Sequence, residues 1–276
     1  MNPVTSVGTD LPRQQDPAAQ PSVKRRMNPV ALEFRKLRRK HLWLTVFLVL
    51  GFELVWALMA LTMSLSHEGA VLHDSAFAIA QVSQIHGIFA PVLATVLASR
   101  IAAMEHDGGM LPVLFAANQS RTGLFRAKFF AVFAAMTIAT IVGFLAVLGY
   151  GATQGVTADW YLIGIFFAGC VLANTAVISI QLVLALLYTR QAVTLSVGII
   201  GGLLGSFAGF MPAMVSVFLP WQYVGLATPV RMDVIEGRIA GFPVVPEIGL
   251  HLLIVTVVGA ISVLVCQTIF SRRSRG

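Results

Sequence analysis

The chain of 276 residues is 57% hydrophobic and only 11% charged, and its mean hydropathy is +0.82. These values exclude an ordinary soluble domain and indicate an integral membrane protein. The net charge of +7 comes from basic residues that flank apolar runs, so it indicates membrane topology and attraction to anionic lipid. It does not indicate binding to nucleic acid.

The region before the first apolar run divides into two parts. Residues 1–26 contain four Pro residues, several Gln and Ser residues and no aromatic residue, which predicts a disordered cytoplasmic tail. Residues 27–41 place Val30, Phe34 and Leu37 on one helical face among basic residues, which predicts an amphipathic interfacial helix. The tetrapeptide MNPV occurs at both residue 1 and residue 27, so either Met can be the start.

Six apolar runs follow, each about 20 residues or longer, the length that a helix needs to cross roughly 30 Å of hydrocarbon. The sequence therefore predicts an all-α membrane domain over 42–270. Its six predicted spans are 42–65, 75–103, 124–150, 159–187, 192–219 and 247–270. Pro91 lies inside the second and Pro212 near the end of the fifth, where each predicts a bend because proline removes a helical hydrogen bond.

The basic residues predict the orientation of these spans. All but two of the 19 Lys and Arg residues lie before the first span, in the region 100–128 where the second span ends and the third begins, between the fourth and fifth, or after the last. Basic residues stay on the cytoplasmic side, so both termini are predicted to be cytoplasmic, with residues 271–276 as a basic tail. The two exceptions, Arg231 and Arg238, lie in a loop over 220–246. We expect that outer loop to fold back as a short helical cap, because many of its residues are apolar.

The sequence contains no motif that carries known catalysis. It has no GxxxxGK[ST] phosphate loop, no HExxH or GxSxG motif and no His cluster with metal-ligand spacing. Cys170 and Cys266 lie in predicted spans without a CxxC spacing and are interpreted as packing residues. The chain is therefore predicted not to be an enzyme, and to hold no cofactor or metal.

Three polar side chains fall near the middle of predicted spans: Glu53 in the first, His86 in the second and Asn174 in the fourth. A charged carboxylate at mid-membrane costs about 2.5 to 3.5 kcal/mol on insertion scales, so Glu53 should face a polar cavity, be protonated or have a partner. His86 is the best candidate for this partner, because it lies at a similar depth in the membrane, near the middle of its own span. Two interpretations stay open: the three residues form a substrate path or proton site, or they make hydrogen bonds that only aid packing.

The fifth predicted span carries Gly201, Gly205 and Gly209 at intervals of four residues. Small residues at this spacing form a flat face that another helix can approach closely. The approaching helix can belong to the same chain or to a second copy.

Residues 100–128 carry six charged side chains in a chain that is otherwise poor in charge, and the part over 104–123 connects the second and third spans. It is longer than the roughly 4 to 6 residues that most connections need. It also holds an apolar stretch with no membrane of its own to enter, and such stretches usually mark a partner site.

These features resemble the permease subunits of type-2 ABC exporters, and among them the short permeases of lantibiotic-immunity and antimicrobial-peptide exporters. The resemblance covers residues 27–276. It rests on the amphipathic helix, the six spans, and a segment in which a Glu leaving the second span precedes Gly, a short apolar helix, an Arg and a Lys. Those residues here are Glu105, Gly108, Gly109, Met110 to Ala117, Arg121 and Lys128.

The resemblance implies that 104–123 is a coupling segment that docks on a separately encoded ABC ATPase, two copies of which bind ATP and Mg. The residues implied in this docking are Glu105, Gly108, Gly109, Met110, Leu111, Leu114 and Arg121. It also implies a second permease copy, identical or related, with the second and fifth spans lining the path between the two.

The implied function is ATP-driven export of an amphipathic compound, with a membrane-active peptide such as a lantibiotic as the leading expectation, in the cytoplasmic membrane of a bacterium. Two other classes stay open. One is an ATP-independent secondary transporter that uses Glu53 and His86 as its proton site, although no internal inverted repeat is evident in the sequence. The other is a membrane sensor or scaffold subunit.

Overall fold

The computed structural model describes residues 42–65, 73–106, 120–207, 211–235 and 238–273. The predicted tail over 1–26, the predicted amphipathic interfacial helix over 27–41 and most of the coupling segment lie outside these described residues. The expectations for those three regions therefore stay predictions.

Among the described residues, six helices of 16 residues or more form the body of the fold. They are α1 (Leu42–Leu65), α2 (Ser75–His106), α3 (Arg121–Thr153), α4 (Trp160–Leu187), α5 (Gln191–Ser206) and α8 (Ile248–Arg273). Short elements connect α5 to α8: α6 (Ala213–Ser216), a 3-10 turn (Pro220–Gln222), α7 (Tyr223–Leu226), and the antiparallel strands β1 (Asp233–Ile235) and β2 (Arg238–Gly241).

Within the described part of the chain, five helices are long and apolar enough to cross a membrane: α1, α2, α3, α4 and α8. The chain is thus a mostly helical, multi-pass membrane protein. The helix α5 has 16 residues, fewer than the roughly 20 that a full crossing needs. The count of six spans and the cytoplasmic position of both termini stay predictions.

The fifth predicted span is the one whose extent was wrong. We expected one helix over 192–219, but α5 ends at Ser206 and only the four-residue α6 follows before Pro220. Glycine is the poorest helix former after proline, and α5 ends in a run that contains Gly201, Gly202 and Gly205. Pro212 then prevents the chain from continuing as a regular helix, because proline lacks the donor N–H.

The loop over 220–246 also differs from a purely helical cap. Its first part forms helical turns, in which Gln222 and Tyr223 are almost fully buried. Its second part is the β1–β2 hairpin, in which Ile235 pairs with Arg238. The β-branched residues of this stretch favour strands, a preference that the prediction of a helical cap underestimated.

The helix α2 lies at the centre of the bundle and packs against α1, α3, α4, α5 and α7. Two buried apolar clusters lie along it. One contains Leu97, Phe125 and Phe270 at the end of the bundle where α2 and α4 finish, and the other contains Phe166 and Tyr223 toward the opposite end. Because the positively charged ends of α3 and α8 lie at the first of these ends, we call it the basic end.

Local capping explains how α4 begins and α3 ends. The carboxylate of Asp159 accepts hydrogen bonds from the backbone N–H groups of Tyr161 and Leu162 at 2.9 and 3.2 Å, which satisfies donors that the first helical turn leaves free. After α3, Gly155 adopts a φ of 75°, a left-handed conformation that favours glycine and terminates the helix.

Glycines bring α2 and α5 into backbone contact. A Cβ atom on Gly205 would collide with the carbonyl oxygen of Gly87 on α2 and lie 2.9 Å from that of Trp221. A Cβ atom on Gly201 would collide with the indole ring of Trp221. Both glycines therefore pack inside this chain, whereas Gly209 lies outside the described residues.

We expect Gly205→Leu to destabilise the protein by about 1 to 3 kcal/mol, because overpacking at a backbone contact forces the helices apart. Thermal unfolding of the purified protein in detergent measures the change. Gly164→Leu on α4 is the matched control, since a Cβ atom there meets nothing within 4 Å. Equal melting temperatures for the two variants would contradict the close contact of α2 with α5.

Candidate functional site

The central feature of the candidate site is a buried pair formed by Glu53 of α1 and His86 of α2. The Oε1 atom of Glu53 lies 2.7 Å from the Nδ1 atom of His86. The two residues are only 8% and 7% exposed. When the carboxylate is ionised, the Nδ1–H group donates to it, and such a hydrogen bond to a charged acceptor is roughly twice as strong as a neutral one.

The pair lines a cavity of about 20 Å³ between α1, α2 and α3. This volume is enough for about one water-sized group. The rest of the wall is almost entirely apolar and includes Leu54, Leu93 and Met136. Among the residues that the structure describes, the other ring nitrogen of His86, Nε2, is buried and has no hydrogen-bond partner.

A second cavity, of about 130 Å³, lies between α2, α3 and α4. Its wall consists almost entirely of apolar side chains, including Leu148, Ile163 and Phe166. Three residues, Val82, Phe144 and Val147, line both this cavity and the one that holds the Glu53–His86 pair. The two cavities are therefore neighbours with a shared wall.

A third and larger cavity, of about 790 Å³, lies between α2, the last residues of α5 and the segment before α8. Its wall mixes polar and apolar groups. The side chains that can form hydrogen bonds include Ser83, Gln84, Ser206, Thr228, Arg231 and His251. Cavities of roughly 300 to 1,000 Å³ with a few convergent polar groups are typical of ligand sites.

Asn174 does not join this arrangement. It lies on α4, is 2% exposed, and lines none of the three cavities just described. The structure thus brings Glu53 and His86 together and leaves Asn174 apart from them. The role of all three residues in a substrate path stays a prediction.

The coupling segment is described only at its two margins. Glu105 lies in the last turn of α2, and Arg121 is the first residue of α3. The Oγ atom of Ser120 caps α3 by accepting a hydrogen bond from the N–H of Gly123 at 3.2 Å. The other residues implied in docking lie outside the described part of the chain, namely Gly108, Gly109, Met110, Leu111 and Leu114.

Polar contacts hold the helices together beside the coupling segment. Lys128 of α3 is fully buried, and its Nζ donates to the carbonyl oxygen of Ile101 on α2 at 3.3 Å. His106, the last residue of α2, donates from Nε2 to the carbonyl oxygen of Ala185 on α4 at 3.1 Å. Both contacts place basic groups against carbonyls in the last two turns of a helix, where the helix dipole favours positive charge.

A further contact joins α3 to α8, because the Nε of Arg126 donates to Oε1 of Gln267 at 2.7 Å. The prediction from the sequence included Lys128 only as part of the coupling pattern and missed His106 and Gln267. The sequence did contain a signal for such contacts. Arg126 and Lys128 lie near the start of an apolar helix, and a basic side chain in that position requires a hydrogen-bond acceptor on a neighbouring element.

These observations define a polytopic helical membrane protein with polar groups buried between its helices. Comparison with known protein families matches residues 30–209 to the family described as ABC-2 family transporter protein, and the chain belongs to that family. The match extends from before α1 to the end of α5 and includes the coupling segment. No curated protein and no solved structure matches the chain.

Family membership makes the chain a transmembrane permease of an ABC transporter. Such permeases are membrane subunits without an ATPase site of their own, and they pair with an ABC ATPase subunit. The expectation of a type-2 ABC permease is thus confirmed at the level of the family. The lantibiotic-immunity subtype stays a prediction.

We expect a double-mutant cycle to show that Glu53 and His86 depend on each other. Glu53→Leu leaves His86 with two unpartnered ring nitrogens, and His86→Leu leaves a buried carboxylate alone. The double variant should therefore lose less stability than the sum of the two single variants, by about 1 to 3 kcal/mol. Thermal unfolding in detergent gives the four values, and strict additivity would show that the contact contributes nothing.

Proposed function

We propose that this chain is the permease subunit of an ATP-driven exporter. In this proposal two permease copies work with two copies of a separate ABC ATPase, which binds ATP and Mg and supplies the energy. The substrate is an amphipathic compound, with a membrane-active peptide such as a lantibiotic as the leading candidate, and it leaves the cytoplasmic membrane or the cell.

The single observation that carries this proposal is the family match over residues 30–209, because it includes both margins of the coupling segment and the residues between them. The buried contacts at the basic end support it. Lys128 and His106 connect α2, α3 and α4 where the coupling segment leaves α2 and enters α3. A movement of that segment would consequently reach three helices together.

The large cavity beside Gln84 supports the proposed substrate path. It is lined by α2 and by the end of α5, the two helices that the resemblance assigns to the path between permease copies. Polar groups such as Ser83 and Arg231 and apolar groups such as Leu226 and Val245 share its wall. A mixed wall of this kind suits an amphipathic substrate better than a purely polar one.

We expect the double variant Leu111→Ser/Leu114→Ser to lose co-purification with the ATPase and all ATP-dependent export. The two leucines are the largest apolar groups in the predicted docking face, and buried apolar surface contributes about 25 cal/mol per Å². Pull-down of the ATPase at equal membrane abundance of wild type and variant measures the effect. The control is Leu48→Ser, on the exposed face of α1, which should recover as much ATPase as the wild type. If the double variant also recovers as much ATPase as the wild type, the coupling role is refuted.

The buried Glu53–His86 contact favours one second candidate, a proton-driven transporter. The two functions differ in their energy source. In inverted vesicles with the co-expressed ATPase, we expect export to require ATP and to continue when an ionophore collapses the proton gradient. Export that stops with the gradient, in vesicles still supplied with ATP, would favour the second candidate.

We also expect Glu53→Gln to insert and fold normally but to reduce export, because glutamine keeps the size and hydrogen bonding of the side chain and removes its charge. The measurement is the export rate in inverted vesicles at equal protein abundance. Export at the wild-type rate would leave Glu53 with a packing role only.

A further inference from the structure

The large cavity beside Gln84, of about 790 Å³, has basic side chains in its wall and no acidic ones among the described residues. Its ionisable side chains are those of Arg231 and His251. The acidic residues nearest to them in sequence, Asp233 and Glu247, are exposed and do not belong to this wall. A cleft lined by charge of one sign attracts ligand groups of the opposite sign. The cavity therefore favours an anionic group.

Helical spacing shows which side chains point into this cavity. His251 lies one turn before Val255 on α8, and Val255 is fully buried in the apolar cluster away from the basic end. Residues four apart share a helix face, so the half-buried His251 side chain points toward the bundle. On α2, Ala80, Ser83 and Gln84 all line the cavity, and their spacing of three and four residues identifies one face of that helix.

The two most deeply buried hydroxyl groups of the wall present acceptors to the cavity, because their protons are already donated within the chain. The Oγ of Ser83 donates to the carbonyl oxygen of Ala80 at 2.9 Å, and the Oγ1 of Thr228 donates to that of Val224 at 2.8 Å. A hydroxyl oxygen that has donated its proton keeps lone pairs that accept from another donor. These two positions therefore favour N–H groups of a ligand over its oxygen atoms.

We propose that this cavity binds an amphipathic carboxylate that carries an amide N–H beside the carboxylate. Arg231 and His251 bind the carboxylate, and the amide N–H donates to Ser83 or Thr228. The apolar chain lies against the hydrocarbon part of the wall, which includes Leu226. In the described part of the chain no ion pair holds the exposed Arg231 side chain elsewhere. N-acyl amino acids and the carboxyl ends of peptides share this ligand chemistry.

This inference deepens the proposed function, because it rests on the proposal that the large cavity belongs to the substrate path. Its test measures equilibrium binding to the isolated chain and needs neither ATP nor the ATPase. Saturable binding without recruitment of the ATPase would contradict the proposed function alone. ATP-driven export by a chain that does not bind the probe would contradict this inference alone.

The probe is radiolabelled N-octanoyl-leucine, and the sample is the purified full chain in nanodiscs of zwitterionic lipid, with the signal from empty nanodiscs subtracted. We expect one saturable site per chain. Two competitors separate the two parts of the polar group: N-octanoyl-leucinamide keeps the amide N–H and lacks the charge, whereas octyl sulfate keeps a negative charge and lacks the N–H. Each should compete about tenfold more weakly than unlabelled N-octanoyl-leucine, because each loses one hydrogen-bonded contact.

Variants of the basic wall test the anion contact. Arg231→Gln should fold, because the position is exposed, and should weaken binding of N-octanoyl-leucine about tenfold, which corresponds to the loss of one charge-assisted hydrogen bond. Arg231→Lys keeps the charge and should retain most of the binding. Arg190→Gln is the matched control, since it removes the same charge from an exposed position between α4 and α5, at the basic end. It should bind the probe like the wild type.

A second variant tests the acceptors. Ser83→Ala/Thr228→Val removes both hydroxyl groups and keeps the side chains close to their original size. We expect octyl sulfate to compete with this double variant as well as N-octanoyl-leucine does, because the variant no longer distinguishes an N–H group from an oxygen atom.

Competition by N-acetyl-trileucine identifies the source of the carboxylate. If it displaces the probe better than unlabelled N-octanoyl-leucine does, the site takes the end of a peptide. If it displaces the probe less well, the site takes an N-acyl amino acid, and either result supports the inference.

Three results would overturn the inference. The first is the absence of saturable binding of N-octanoyl-leucine to the wild-type chain. The second is equal competition by N-octanoyl-leucinamide, which would show that the cavity does not select for negative charge. The third is wild-type affinity in Arg231→Gln, which would place the carboxylate away from this wall.

Discussion

The backbone contact between α2 and α5 is the constraint on which the rest of the bundle depends. Gly205 can lie against the carbonyl oxygen of Gly87 only because neither residue has a side chain at the contact. Pro91, four residues after Gly87, has no N–H to donate to that oxygen, so the contact occurs where α2 already lacks a helical hydrogen bond. With α5 held there, Gln222 reaches the carbonyl oxygen of Leu204 at 3.0 Å. The large cavity then forms between α2 and the end of α5.

The same stretch of α2 also contains the buried polar residue His86, which faces α1 and not α5. His86 precedes Gly87 and contacts Glu53 of α1 at 2.7 Å. Burial of two ionisable groups is unfavourable unless each finds a partner, and this contact provides one while leaving Nε2 of His86 available. The basic end follows the same rule, because fully buried Lys128 donates to a carbonyl of α2. His86 and Lys128 thus each lie where another helix supplies an oxygen atom as their partner.

Hydropathy predicted the long helices well, because a run of apolar residues long enough to cross a membrane has few other stable structures. The predicted span 42–65 coincides with α1, and the predicted 159–187 differs from α4 by one residue at its start. The fifth span failed because apolar length alone does not weigh the low helix propensity of Gly201, Gly202 and Gly205 against Pro212. Depth along the spans favoured His86 as the partner of Glu53. Depth gave no information on rotation about the helix axis, so Asn174 was grouped with residues whose cavities it does not line.

The helix α2 makes contacts at its basic end and near Gly87. These two sets of contacts would respond differently if an ATPase moved the coupling segment. At the basic end, His106 and Lys128 bind carbonyls of neighbouring helices, so hydrogen bonds connect α2 to both α3 and α4 there. Near Gly87, the hydrogen bond removed by Pro91 makes α2 easier to bend than elsewhere, since helices kink at proline. A bend at this level changes the position of His86 relative to Glu53 and of Gly87 relative to α5 at the same time. Movement at the coupling segment would therefore act on both the buried pair and the wall of the large cavity through one flexible point in one helix.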